Sequence, residues 1–328
     1  MRDPLDRRRR RLLAGLGLAA LPLPRLGWTK SAEALPEGRL VSAFYAGKGE
    51  ARRDWLVWSE PAGTRGGRLE LPLRGHGLCR HPGKPDHVVC FARRPGDRLW
   101  EIDLKRGAIT ADVPADEGHY FFGHGVFSHD GTRLYTTENR YRDSTGLVRV
   151  RDAQDYRVLD EMPSGGIGPH DVRLLSDGRT LAVANGGIET HPDLRRRKLN
   201  LATMDPSLAY LDSASGRILE QHRLPHHQLS IRHLGVGASG TALVTCPKSN
   251  LVTLWNLTEA RLIASYDIRQ PYGAALACDG AYLITGATGE VHRLIPGGTP
   301  ERIHTATGVW DNHLLWLDPT QAARDGVA

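Results

Sequence analysis

Five histidines recur at one kind of place in this sequence. His76 opens "GHGLCRHPG", His124 opens "GHGVFSHDG", His170 stands in "GPHDVRLLSDG", His233 in "IRHLGVGASG" and His313 in "VWDNHLLWL". Neutral imidazole is the commonest side-chain ligand for transition metals and the side chain that titrates nearest neutrality. Several imidazoles converging on one axis would suit iron, copper or zinc. Asp171 beside His170 and Asp311 just before His313 are the candidate carboxylates, as ligands or as groups that orient an imidazole. Two other readings fit the same residues: each histidine hydrogen-bonds within its own segment, or an imidazole serves as an acid-base catalyst. Spacing alone leaves all three open.

What must position the histidines is a repeat, the first thing to seek in such a chain. One unit reads "HGVFSHDG / RLYTTEN / LVRVRDA / YRVLDEM", another "HGLCRHPG / HVVCFAR / RLWEIDL / ITADVPA", a third "LGVGASG / ALVTCPKS / LVTLWNL / RLIASYDI". Four short strands per unit, glycine turns and little helical periodicity predict an all-β propeller. The openings at His76, His124, His170, His233, Gly273 and His313 are 48, 46, 63, 40 and 40 residues apart, close to blade length. The chain ends on an opening strand without partners, while "RLVSAFYA", "DWLVWSE" and "RLELPLR" near the start lack an opening strand. Joining them makes a shared blade, removes the sheet edges and predicts six four-stranded blades in a single domain over residues 35–328, expected to be monomeric.

The first strand of a propeller blade lines the channel, so residues at one repeat position form a ring at one mouth. Gly273 takes the sixth place. The long interval holds an insertion, residues 186–207, which follows a second strand and therefore belongs at the same mouth. With the companion loops at 93–97 and 138–143 it brings Arg93, Arg94, Glu138, Asn139, Arg140, Arg142, His191, Arg195, Arg196, Arg197 and Lys198 to a rim that can attract an anionic ligand or a protein partner. A solvated lid of charged loops is the alternative.

Residues 1–34 carry a basic start, a short apolar run from Leu12 to about Leu23 and Ala32-Glu33-Ala34 as a small-residue cleavage site, the pattern of an export signal too short to span a bilayer. Arg9-Arg10-Arg11-Leu12-Leu13 resembles the twin-arginine motif, which predicts a chain folded in the cytoplasm and working in a periplasm. A Sec signal with an arginine-heavy start is the competing reading. The segment holds eight Lys/Arg and three acids of a chain whose net charge is +6, so the exported part is near +1. A near-neutral domain does not advertise nucleic-acid binding, and no membrane span is expected after cleavage. Cys79 and Cys90 could bridge one hairpin in an oxidising compartment, but buried thiols are the favoured reading.

Motifs for nucleophilic or phosphate chemistry are missing: no G-x-S-x-G, no phosphate loop, no C-x-x-C-H and no H-E-x-x-H. The phrases "YTTENRYRDSTGLVRVRDA", "PSGGIGPHDVRLLSDGRTLAVANGGIETHPDLRRRKLNLATMDPSLAYLD" and "LSIRHL" resemble an uncharacterised bacterial family of twin-arginine-exported propellers, over most of residues 70–240. Its members are often encoded beside periplasmic iron-uptake genes. The resemblance implies an iron-linked role and periplasmic iron-uptake proteins as partners, without naming a reaction. After Leu234 this sequence departs from the family pattern, where there is usually room for another blade, so seven blades is the alternative architecture. Three functions follow: an accessory in iron or metal acquisition that binds a metal or a metal-bearing partner at the channel mouth, a lactonase- or dehydrogenase-like enzyme using the same site, or a docking scaffold without chemistry. Replacing Arg9 and Arg10 by lysine, with the surplus arginines removed, should strand the protein in the cytoplasm when cell fractions are compared; a normal periplasmic yield would assign export to Sec.

Overall fold

The computed structural model describes residues 38–317 except 48, 60–65, 94–95, 141, 191–197, 224–233, 237–240, 257–258, 260, 278, 288–289, 306–308 and 311–312. The export signal read in residues 1–34 lies outside the described residues. Blade 1 begins with β1 (Arg39–Ala46), β2 (Arg53–Ser59) and β3 (Gly66–Leu71). Blade 2 is β4 (Gly75–Arg80), β5 (His87–Ala92), β6 (Arg98–Asp103) and β7 (Ala108–Pro114); blade 3 is β8 (His119–Phe127), β9 (Arg133–Arg140), β10 (Gly146–Asp152) and β11 (Val158–Pro163). Blade 4 is β12 (Pro169–Leu174), β13 (Thr180–Asn185), β14 (Ser207–Asp212) and β15 (Ile218–Arg223). Blade 5 is β16 (Leu234–Val236), β17 (Thr241–Cys246), β18 (Leu251–Asn256) and β19 (Arg261–Asp267); blade 6 is β20 (Pro271–Leu276), β21 (Tyr282–Gly286), β22 (Glu290–Leu294) and β23 (Glu301–Thr305). The chain then returns as β24 (Val309–Trp310) and β25 (Leu315–Leu317), and both pair with β1, Phe44 opposite Trp310 and Leu40 opposite Trp316.

The protein is therefore a six-bladed β-propeller of antiparallel sheets, with no α-helix among the described residues. Six blades are built, not seven: the residues after Leu234 make blades 5 and 6 and then close on blade 1. The innermost strands touch in the order β4, β8, β12, β16, β20, β25 and back to β4, which completes the ring.

Alternation explains why these segments are strands. In β5, Val88, Cys90 and Ala92 pack toward blade 1 while Val89 and Phe91 pack toward blade 3, so both faces are apolar. Outermost strands such as β7 and β19 alternate between exposed and half-buried positions, as the rim of a blade must. Six apolar clusters result, one between each neighbouring pair of blades, the last joining Leu283, Val291 and Ile303 of blade 6 to Leu40 and Trp316 of blade 1. The same alternation keeps Cys79 and Cys90 apart. Cys79 pairs in register with Val89 and Cys90 with Leu78, which sends the two thiols to opposite faces and into different cores. Burial pushes the Cys79 thiol well above its ordinary value.

Polar clasps pin blades across these cores. Tyr156 of blade 3 donates its hydroxyl to Glu101 Oε2 of blade 2 at 2.7 Å, while Lys84 and His87 reach Oε1 at 2.7 and 2.6 Å. Burial alone would raise the Glu101 carboxyl, but the hydrogen bonds from Lys84, Tyr156 and His87 outweigh it and hold it down to about 2. A carboxyl depressed in the folded state stabilises above its unfolded pKa and loses that contribution as pH falls toward the folded value. Glu101→Gln should accordingly cost on the order of 2–3 kcal/mol at pH 7 and markedly less near pH 3, measured by urea unfolding at both pH values. An equal loss at both would assign the clasp to shape and not to charge.

Candidate functional site: a histidine cluster on the propeller axis

The histidines sit where the ladder between first and second strands breaks. Register slips between Gly75 and Leu78 in blade 2, between Phe121 and Gly125 in blade 3, and between Pro169 and Asp171 in blade 4, and in blade 1 the inner strand is interrupted between β24 and β25. A bulge of this kind re-aims a side chain, and here it lifts His76, His124, His170 and His313 out of the inter-blade cores. Hydroxyls on the next strand fill the gaps. Thr137 Oγ1 accepts from His124 N at 3.3 Å and donates to His124 O at 3.2 Å, and Ser42 Oγ donates to His313 O at 2.6 Å. Blade 6 repeats the device at its own slip, where Gly273 N donates to Thr285 Oγ1 at 2.9 Å. Gly273 thus holds the histidine's place without its side chain.

The four described histidines, from four consecutive blades, form one cluster. Ring centroids are 4.1 Å apart for His76 and His313, 4.3 Å for His124 and His313, 5.0 Å for His76 and His124 and 5.0 Å for His124 and His170. The widest gap, His170 to His313, is 6.5 Å. His313 Nε2 lies 3.2 Å from His76 Nε2, and His124 Nε2 lies 3.2 Å from both ring nitrogens of His313. One nitrogen each from His76, His124 and His170 come within 4.8 Å of one another. Relative exposures are 2, 3, 2 and 6% for His76, His124, His170 and His313, so the cluster is nearly shielded from water. Phe122 stands edge-on to His170 at 6.2 Å and gives it an apolar wall.

Close approach requires the glycines that flank the histidines. A Cβ on Gly77 would clash with the Gly123 carbonyl and stand 2.6 Å from His124 Cδ2, and one on Gly123, whose φ is +115°, would stand 2.5 Å from His76 Cδ2. The G-H-G pattern of blades 2 and 3 is therefore a packing requirement, one imidazole resting against the neighbouring blade's backbone. The hydroxyls Ser42 and Thr137 were not singled out by the sequence, where "YTTE" and "RLVSAF" read as ordinary strand residues; nothing in their local pattern marks them.

The other candidates divide. His233 and Asp311 lie outside the described residues, as do Arg94, His191, Arg195, Arg196 and Arg197. Asp171 is buried beside His170 but turns to blade 5: Oδ2 accepts from Leu234 N at 2.8 Å and from Arg173 at 3.2 Å, and Arg173 Nε donates to Leu234 O at 2.9 Å. Burial raises its carboxyl despite these partners. Asp171 is thus a clasp between blades 4 and 5. Glu138 and Asn139, expected on the rim, are instead inside it, because they belong to the last turns of β9 and not to the loop. Glu138 accepts from Arg151 at 2.8 Å and Arg149 at 3.3 Å, with Asp116 neutralising the second positive charge, and Asn139 donates to Ser144 O at 3.3 Å. Of the rim cations that are described, Arg140 and Arg142 share Asp143, Arg93 is half-buried with its backbone N–H on Arg74 O, and Lys198 is exposed. Residues 186–190, the described start of the insertion, are tied to the blade 3–4 connection and to blade 3: Gly187 N donates to Ile167 O and Tyr120 OH to Thr190 O.

Residues 69–244 match the family described as "protein of unknown function (DUF1513)". The chain belongs to that family. The DUF1513 match contains His76, His124 and His170 and ends before His313, which ring closure brings in from the far end of the chain. No curated protein matches it in sequence. Among solved structures it is similar to a protein of unknown function from Bacteroides caccae, at 10% identity and a TM-score of 0.59 over 86% of this chain and 99% of that one. It is also similar to Kuenenia stuttgartiensis hydrazine synthase, at 15% identity and a TM-score of 0.55 over 74% of this chain and 72% of that one. At such identities both likenesses speak to the fold alone.

The glycine contacts generate a test. Gly77→Ala should destabilise the protein by about 1–3 kcal/mol, the usual cost of overpacking, whereas Gly83→Ala, where a Cβ meets only His81 at 3.7 Å, should stay within about 0.5 kcal/mol. Equal denaturation midpoints for the two variants would mean that the imidazoles are free to move apart.

Proposed function

We propose that this protein is an exported, periplasmic metal-binding propeller that holds one transition-metal ion on its axis between His76, His124, His170 and His313. The observation that carries the reading is the convergence of donor atoms from His76, His124 and His170, with His313 in ring contact with the first two. Ligands about 2.0–2.1 Å from a tetrahedral ion stand about 3.3 Å from one another, and the nitrogen separations that join His313 to His76 and to His124 are 3.2 Å. The His76, His124 and His170 nitrogens, within 4.8 Å of one another, need to move less than about 1 Å each to share an ion with them. Imidazole donors suit zinc, copper, iron and nickel alike, so the donor set selects a class and not one element. A role as accessory in iron or metal acquisition, with a periplasmic iron-uptake protein as partner, is supported by the family resemblance and by the signal-like residues 1–34. The insertion, whose described start is tied to blade 3 and to the blade 3–4 connection, is the surface such a partner would meet.

A second reading is supported by the same 3.2 Å contacts, since they are also hydrogen-bond lengths and a chain of neutral imidazoles can pin four blades together. Metal analysis of the protein from residue 35 onward, purified from the periplasmic fraction, separates the two. Stoichiometric iron, copper or zinc is expected, lost in the His124→Ala, His170→Ala double variant with circular dichroism unchanged, because the apolar cores lie between blades and not on the axis. Metal binding needs neutral imidazoles, so affinity should weaken as pH falls below about 6.5. A metal-free wild type whose double variant is destabilised would leave the histidines as a pin.

A further inference from the structure

Blade 1 differs from the others in how it is made. Blades 2 to 6 each take four strands from one continuous stretch of chain, whereas blade 1 takes its inner strands, β24 and β25, from the opposite end. Those strands are two and three residues long, against six for β4 and nine for β8 at the same place in blades 2 and 3. Closure thus rests on short ladders to β1, on the burial of Trp316 and Leu317, and on the Ser42 hydroxyl donated to His313 O at 2.6 Å. His313 reaches beyond its own blade. Its ring meets that of His76 in blade 2 at 4.1 Å and that of His124 in blade 3 at 4.3 Å, and its Nε2 lies 3.2 Å from the Nε2 of each. The metal ion of the preceding section, on which this inference rests, would turn those contacts into bonds. A ligand from residue 313 joined to one from residue 76 closes a loop of 237 residues, and a metal clip restricts the chain most when the loop it closes is long. His76, His124 and His170 lie in consecutive blades that the chain already joins, so bonds among them restrain much less.

We infer that the ion is the latch of the ring: bound through His313 together with His76 and His124, it locks β24 and β25 onto β1, and its loss lets those strands leave β1 before the other blades open. An ion that binds the closed ring and not the open one shifts the equilibrium between them by mass action, and the shift falls on the junction that His313 crosses. Occupancy of the axis is thereby transmitted to the edge of blade 1.

The test is hydrogen exchange of the protein from residue 35 onward, followed peptide by peptide without zinc and at zinc saturation, with zinc content measured on the same samples. Zinc should slow exchange in β1, β24 and β25 by at least about tenfold more than in β13 and β14 of blade 4, which carries His170 on continuous chain. In His313→Ala, at zinc concentrations that fill the three remaining imidazoles, the extra protection of β1 should disappear. His170→Ala, which removes a ligand that does not cross the closure, should keep it at saturating zinc. If His313→Ala does not fold, the wild-type comparison and His170→Ala decide. Zinc bound with β1 protected no more than blade 4 overturns the inference and leaves the metal-binding reading standing, as does extra protection of β1 that survives His313→Ala. Failure to bind zinc at all overturns both readings.

Discussion

Ring closure is the constraint on which the rest depends. β1 accepts both returning strands, β24 and β25, on the edge left vacant by blade 1, and Ser42 of β1 donates to the His313 carbonyl at 2.6 Å in the interval between them. One junction therefore does three things. It removes the two exposed edges of an open array of blades, completes the sixth inter-blade core through Leu40 and Trp316, and carries a histidine from the end of the chain to within 4.1 Å of one that stands near its start. Without it the axis would have no fixed centre.

Burial is divided accordingly. Apolar side chains fill the wedges between blades, where alternate residues of each strand serve two neighbouring cores, and the axis is left to polar groups. That division is made locally by the register slips. A regular ladder would direct each histidine into a wedge beside leucines and aromatics; the slip, filled by a hydroxyl such as Thr137, directs it to the centre instead. Glycines 77 and 123 then let imidazole meet backbone at van der Waals distance. The apolar wedges and the axial cluster are thus built from different residues of one scaffold, and propellers of one shape support unrelated activities.

Glu138 and Asn139, which the sequence assigns to the rim, belong instead to the wall of blade 3. Glu138 is wholly buried, and with Asp116 it balances Arg149 and Arg151, whose guanidinium also stacks over Phe121 at 4.9 Å. Removing one partner of such a set would strand a buried charge, so these residues belong to the wall of blade 3 and not to a surface for partners. The "ENRYRD" run read as loop because polar residues usually face solvent. Two more rungs of β9, with Glu138 opposite Phe121 and Leu147, reversed that reading for its first members.

By itself the sequence determined the propeller class, the blade units, closure through the chain ends and the one repeat position that carries histidine, because strand alternation, turn residues and spacing are local properties that repeat. Tertiary structure alone decided that His76, His124, His170 and His313 meet, that Asp171 faces blade 5 and not the axis, and that Cys79 and Cys90 point into different cores. Those outcomes depend on the number of blades, the position of each register slip and the direction of a side chain across a bulge, all of which arise from contacts between residues as far apart as His76 and His313, where no local pattern reaches.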